Sequence, residues 1–125
     1  PVEVQVVMMT SNYHNRCHYC MAGHSMIMTM LKAPQDVIAA LREGKPVADT
    51  KLEALRVFTR KLLEEQGHVG DEALNAFLAA GYSKAQVLDV LVCLSTKLLS
   101  NFTNALAQTE VDAPMKAMAW TPPSV

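Results

Sequence analysis

β-branched residues cluster at one place only, Val2 to Val7, and almost everything after that recurs at helical spacing. A chain that offers no second strand cannot build a sheet, so the predicted fold is all-α. The Val2–Val7 run itself passes into Met8 and Met9 without polar alternation. Its flanks favour a helix, because Pro1 suits a first turn and Glu3 complements the positive end of the dipole. The first helix is predicted from about Val2 to His14.

Start and stop signals divide the rest. A second helix is predicted from Arg16–Cys17 to about Lys32, carrying Met26, Met28 and Met30 as core-filling side chains. Pro34 opens a short helix, Gln35 to Arg42, that ends at Glu43–Gly44. Thr50 with Glu53 reads as a capping box for a helix reaching Gln66, with Leu52, Leu55, Phe58 and Leu62 on one stripe. Asp71 is placed as the cap of a helix from Glu72 to Ala80. Ser83 with Gln86 makes a second capping box and opens the longest helix, Lys84 to about Gln108. Leu88, Leu91, Val92, Ser95, Leu98, Leu99, Phe102 and Leu106 form its apolar stripe, read as core or interface. Beyond Thr109, Pro114, Pro122 and Pro123 forbid a long helix. One helical domain over 1–113 with an irregular tail over 114–125 is expected, the tail lying over the domain or over a partner subunit.

The length of 125 residues suits one domain. Eleven basic against twelve acidic side chains argue against a nucleic-acid partner or a charge-held membrane partner. No apolar run approaches about 18 residues, so no segment is expected to span a bilayer, and no leader is visible, so a cytoplasmic setting is expected. No glycine-rich phosphate loop is present, and no resident cofactor is expected. Asn101-Phe102-Thr103 matches a glycosylation pattern but falls inside a predicted helix.

Three cysteines without a leader do not suggest a secreted disulfide framework. Cys93 stands in an apolar stretch and reads as a small buried side chain. The chemistry lies in Cys17-His18-Tyr19-Cys20-Met21-Ala22-Gly23-His24, a Cys-x-x-Cys-x-x-x-His pattern at the N-terminal part of a helix. Residues three and four apart share a helical face, which would align Cys17, Cys20 and His24. Cys20, one turn from His24, is the expected nucleophile, with His24 taking its proton or stabilising its thiolate. Cys17, nearer the helix end, would resolve the oxidised sulfur as a disulfide; the two roles could be exchanged, since the helix end favours thiolate at Cys17. Arg16 and His18 add positive potential. The alternative is a non-enzymatic zinc-binding or redox-sensing module, with Cys17, Cys20 and His24 as ligands and His14 or His18 as the fourth. His68, beside Gly67, reads as a loop residue.

The same residues resemble the alkylhydroperoxidase D-like branch of the carboxymuconolactone decarboxylase superfamily. The likeness extends to Val4-Gln5-Val6-Val7, Ala40-Leu41-Arg42-Glu43-Gly44-Lys45-Pro46, Phe77-Leu78-Ala79-Ala80-Gly81-Tyr82 and Lys97-Leu98-Leu99-Ser100-Asn101-Phe102-Thr103-Asn104-Ala105-Leu106-Ala107. The resemblance implies an all-α bundle assembled as a trimer or hexamer. It also implies a thiol peroxidase or disulfide reductase acting on a hydroperoxide or disulfide substrate, with an external thiol or dithiol as electron donor. In that family a glutamate on the preceding helix completes the proton relay with the histidine. Gln5 stands at the corresponding place here, and Glu3 lies about 200° away around a helix. A glutamine can hold a histidine or a water but cannot act as a base.

Overall fold

A computed structural model describes residues 2–123, and every regular element among them is a helix. The order is α1 Val2–His14, α2 His18–Met30, α3 Gln35–Glu43, α4 Thr50–Glu64, α5 Gly70–Ala79 and α6 Lys84–Ala107, then a short 3-10 helix, Ala113–Met118.

α1 is the axis of the molecule, packed against α2, α3, α4 and α6. Being covered on several sides, it buries Gln5, Val6, Val7, Met9, Thr10, Ser11 and Asn12 and shows no single apolar stripe. The core continues through Met21, Met28, Leu41, Leu55 and Phe58 to a stack of Phe58 on Phe77 and Phe77 on Tyr82, with centroids 4.4 and 4.7 Å apart. Of the methionine stripe on α2, Met28 is buried while Met30 lies in the open. Cys93 is half-buried rather than enclosed.

Several helix ends differ from expectation in their caps. Asp49, not Thr50, caps α4, its carboxylate accepting from Lys51 N and Leu52 N at 3.0 Å. Glu53 is drawn off to the Val47 N–H and to Arg56. α5 begins at Gly70 with no side-chain cap, so Asp71 serves the helix dipole from inside the first turn. The Ser83–Gln86 capping box on α6 forms as expected. Gly44 ends α3 at φ +67°, and a Cβ there would strike the ring of Tyr13, so glycine is required twice over.

α6 turns its predicted stripe away from the core of its own chain. The side chains it buries are Val90, Leu94, Lys97 and Asn101, while Leu88, Leu91, Val92, Leu98, Leu99, Phe102 and Leu106 are exposed. Both faces have apolar members, and the inward one becomes polar halfway along, so hydropathy points to the wrong side. α6 is also long and apolar enough, by length and composition, to cross a membrane, which corrects the expectation that no segment reaches that limit. The face it turns inward packs against α1 and α2.

The tail folds back over its own domain. The Arg42 guanidinium donates to Met118 O and Ala119 O at 2.9 Å, and Trp120 Nε1 donates to Arg42 O at 2.8 Å. It is not wholly irregular, because Asp112 and Pro114 start the 3-10 turn that buries Met115.

Candidate active site

The α1–α2 junction creates the site. Arg16 adopts a left-handed conformation at φ +52°, which reverses the chain after α1. Cys17 then has extended backbone and caps α2, its Sγ accepting from Cys20 N at 3.3 Å. Cys17 therefore lies at the mouth of the helix rather than on its face, and Cys20 occupies the first turn above it. A sulfur that accepts the hydrogen bond of a helix-start amide does the work of an N-cap oxygen.

Cys20 faces α6. Its Sγ lies 3.6 Å from Ser100 Oγ and accepts from Asn104 Nδ2 at 3.5 Å. Both cysteines are free and buried, but Cys20 borders a cleft of about 270 Å³. Tyr19, Gly23, Met26, Ile27 and Met115 make the cleft walls, and His24, Lys97 and Ser100 stand beside the sulfur. The environment separates the two thiols. A hydrogen bond from Cys17 holds Cys20 well below the ordinary thiol range, helped by Ser100, Asn101 and the charge of Lys97 against the opposing effect of burial. Cys17 is driven the other way, first by that same contact with Cys20 and then by burial. Of the two thiols, Cys20 is the one held toward the thiolate.

His24 lies one turn beyond Cys20 on α2, yet its ring nitrogens turn elsewhere. Nδ1 is 2.7 Å from Gln5 Oε1, and Nε2 is 2.9 Å from Lys97 Nζ. An amide oxygen only accepts, so Nδ1 carries the proton and Nε2 accepts from Lys97. Burial, followed by the charge of Lys97, pushes the His24 pKa down to about 4, and the ring is neutral at pH 7. The expected direct transfer from Cys20 to His24 finds no hydrogen bond among the described residues; the ring holds Lys97 instead.

Gln5 is buried and reaches the histidine from α1, whereas Glu3 is exposed and borders a different cleft with Phe77 and Tyr82. His18 is exposed on the first turn of α2. Tyr19 donates from its hydroxyl to Asp112 at 2.9 Å, tying the start of α2 to the tail. Among the described residues no three His, Cys, Asp or Glu side chains converge as a metal-holding group.

Four side chains at the candidate site, Lys97, Ser100, Asn101 and Asn104 of α6, lie in the stretch that carries the resemblance but received no role from the sequence. Asn101 organises the floor. Its Oδ1 accepts from Ser11 Oγ at 2.8 Å and Asn15 Nδ2 at 3.1 Å, and its Nδ2 donates to Asn12 Oδ1 at 2.9 Å. Asn12 Nδ2 in turn donates to Cys20 O at 3.1 Å. The available signal was their spacing: 97, 101 and 104 repeat at four and three residues. No family model matches the chain, and no curated protein matches it.

Proposed function

We propose that the chain is a thiol-dependent antioxidant oxidoreductase that reduces hydroperoxides, or disulfides, through Cys17 and Cys20. The observation that carries this reading is the setting of Cys20. Its sulfur borders a cleft between two side chains of α6 that can donate to a thiolate, while Cys17 sits against its backbone N–H.

The Cys20 thiolate attacks the outer oxygen of a hydroperoxide. The O–O bond breaks, Cys20 becomes a sulfenic acid, and the alkoxide takes up a proton to leave as an alcohol. Cys17 then condenses with the sulfenic acid, forming the Cys17–Cys20 disulfide and releasing water. An external dithiol reduces the disulfide and is itself oxidised. Gln5 and His24 serve as orienting groups rather than as a base and its partner. The alkylhydroperoxidase D-like bundle is the finer fold reading that accompanies this proposal. Assembly as a homo-oligomer accompanies it too, supported by the outward apolar face of α6.

The test is consumption of an organic hydroperoxide with dithiothreitol as reductant, comparing wild type with Cys20→Ser and Cys17→Ser. Wild type turns over. Cys20→Ser loses the reaction, and Cys17→Ser forms a Cys20 sulfenic acid that cannot close to the Cys17–Cys20 disulfide and is reduced only directly by dithiothreitol, at a different rate. Equal rates in all three would refute the proposal.

A further inference from the structure

Lys97 is a buried cation, 5 % exposed, and no carboxylate lies within 4 Å of its ammonium among the described residues. An uncompensated charge at such a place is strongly disfavoured, so something nearby must supply the negative charge. The groups that face it are few. Gln5 comes from α1, reaches His24 rather than the ammonium, and is neutral. Cys20 and His24 come from α2, with Tyr19 beside them in the cleft wall, and Met115 comes from the tail. The histidine accepts from Nζ and is neutral, and the Tyr19 hydroxyl is bound to Asp112. Within α6, Nζ donates to Ser100 Oγ at 3.4 Å, and that oxygen lies 3.6 Å from Cys20 Sγ. The ammonium and the sulfur are thus one hydroxyl apart.

We propose that Lys97 is the counter-charge of the Cys20 thiolate and the store of its proton, exchanged through the Ser100 hydroxyl. In the reduced protein the pair is thiolate and ammonium, with Ser100 accepting from Lys97 and donating to sulfur. The charge of Lys97 favours the thiolate, in keeping with the low position of Cys20.

This rests on Cys20 being the reactive sulfur, and it specifies where the protons go. When the thiolate takes oxygen from a hydroperoxide, the alkoxide receives its proton from Lys97 by way of Ser100, leaving a sulfenic acid, an alcohol and a neutral amine. The thiol proton of Cys17 and the sulfenic hydroxyl depart together as water when the disulfide forms. Reduction by a dithiol regenerates both thiols, and the Cys20 proton returns to Lys97. Over the cycle, hydroperoxide and dithiol become alcohol, water and disulfide. His24, its Nδ1–H held by the amide of Gln5, aims the lysine and relays no proton.

The test reads the resting pair without any peroxide. Alkylation of Cys20 by iodoacetamide, followed by mass spectrometry of the fully reduced protein, is measured against pH for wild type, Lys97→Met, Lys97→Arg and Ser100→Ala. The wild-type midpoint should lie below the usual thiol value of about 8.5. Lys97→Met should raise it by at least about one pH unit, Ser100→Ala should raise it by less, and Lys97→Arg should keep it low. Lys97→Arg should still form sulfenic acid roughly tenfold more slowly, because a guanidinium holds its proton. An unmoved midpoint in Lys97→Met overturns the proposal. If that variant does not fold, wild-type peroxide kinetics in Lys97→Arg overturn it instead. A shifted midpoint in a protein that consumes no peroxide would sustain the ion pair while removing the peroxidase reading.

Discussion

Asn101→Ala should be among the most damaging single substitutions in α6, although Asn101 is polar and its helix is mostly greasy. Asn101 is 1 % exposed and takes part in three hydrogen bonds with Ser11, Asn12 and Asn15 on or just beyond α1. At about 1 kcal/mol net for each, their loss costs about 3 kcal/mol. Counting from the abandoned partners gives a similar figure: Ser11 and Asn12 are fully buried, and an unsatisfied polar group costs about 1–3 kcal/mol. With a urea slope of about 1–3 kcal/mol per molar, the unfolding midpoint should fall by roughly 1–3 M. The assay is urea unfolding followed by far-UV circular dichroism. A double-mutant cycle with Asn12→Ala should show coupling of about 1 kcal/mol or more, because the two amides touch. Loss of under about 1 kcal/mol in Asn101→Ala, with no coupling, would refute the view that a polar seam joins α1 to α6.

Two further outcomes follow from the geometry. Leu91→Ala and Leu98→Ala, about 40 % exposed, should each cost under about 1 kcal/mol in dilute monomer, against the 2–5 kcal/mol of a core leucine; a larger loss that grows with protein concentration would show the stripe covered by another copy. The His24 pKa is depressed to about 4 from an ordinary 6.5, so the unfolded chain binds the proton first and stability is lost as pH falls from about 6.5 toward 4. His24→Asn should flatten that part of a thermal-melting profile against pH, and an unchanged profile would count against a neutral buried ring.

Much of the helical order is legible in the chain because turns and caps are local. Gly44, Gly81 and the Ser83–Gln86 box act within a few residues of where they stand. What fails is orientation. The Leu88–Leu106 stripe on α6 is as apolar as any core stripe, and which way it points is decided by α1, whose Ser11, Asn12 and Asn15 demand polar partners. Asn101 sits in a glycosylation pattern and in the stretch that carries the resemblance, and neither says that its amide faces α1. The Cys-x-x-Cys-x-x-x-His segment announces itself, and the notion that Gln5 could hold a histidine matches the contact with His24. Lys97 stays hidden because a lysine amid leucines reads as a solvated charge until the opposite helix is in place. Cys17 is displaced from the helical face because its sulfur is needed at the helix start, a demand of backbone geometry rather than of side-chain spacing.

The carboxyl-terminal strap gives the cleft one of its walls. Met115 borders the space beside Cys20, and the strap is fastened to Arg42 of α3 through its own Met118 carbonyl and the Trp120 indole. The calibre of the doorway is consequently set outside the helix that bears the sulfurs. Removing Met115 from that wall would widen the space beside Cys20 while leaving α2 and both sulfurs where they stand.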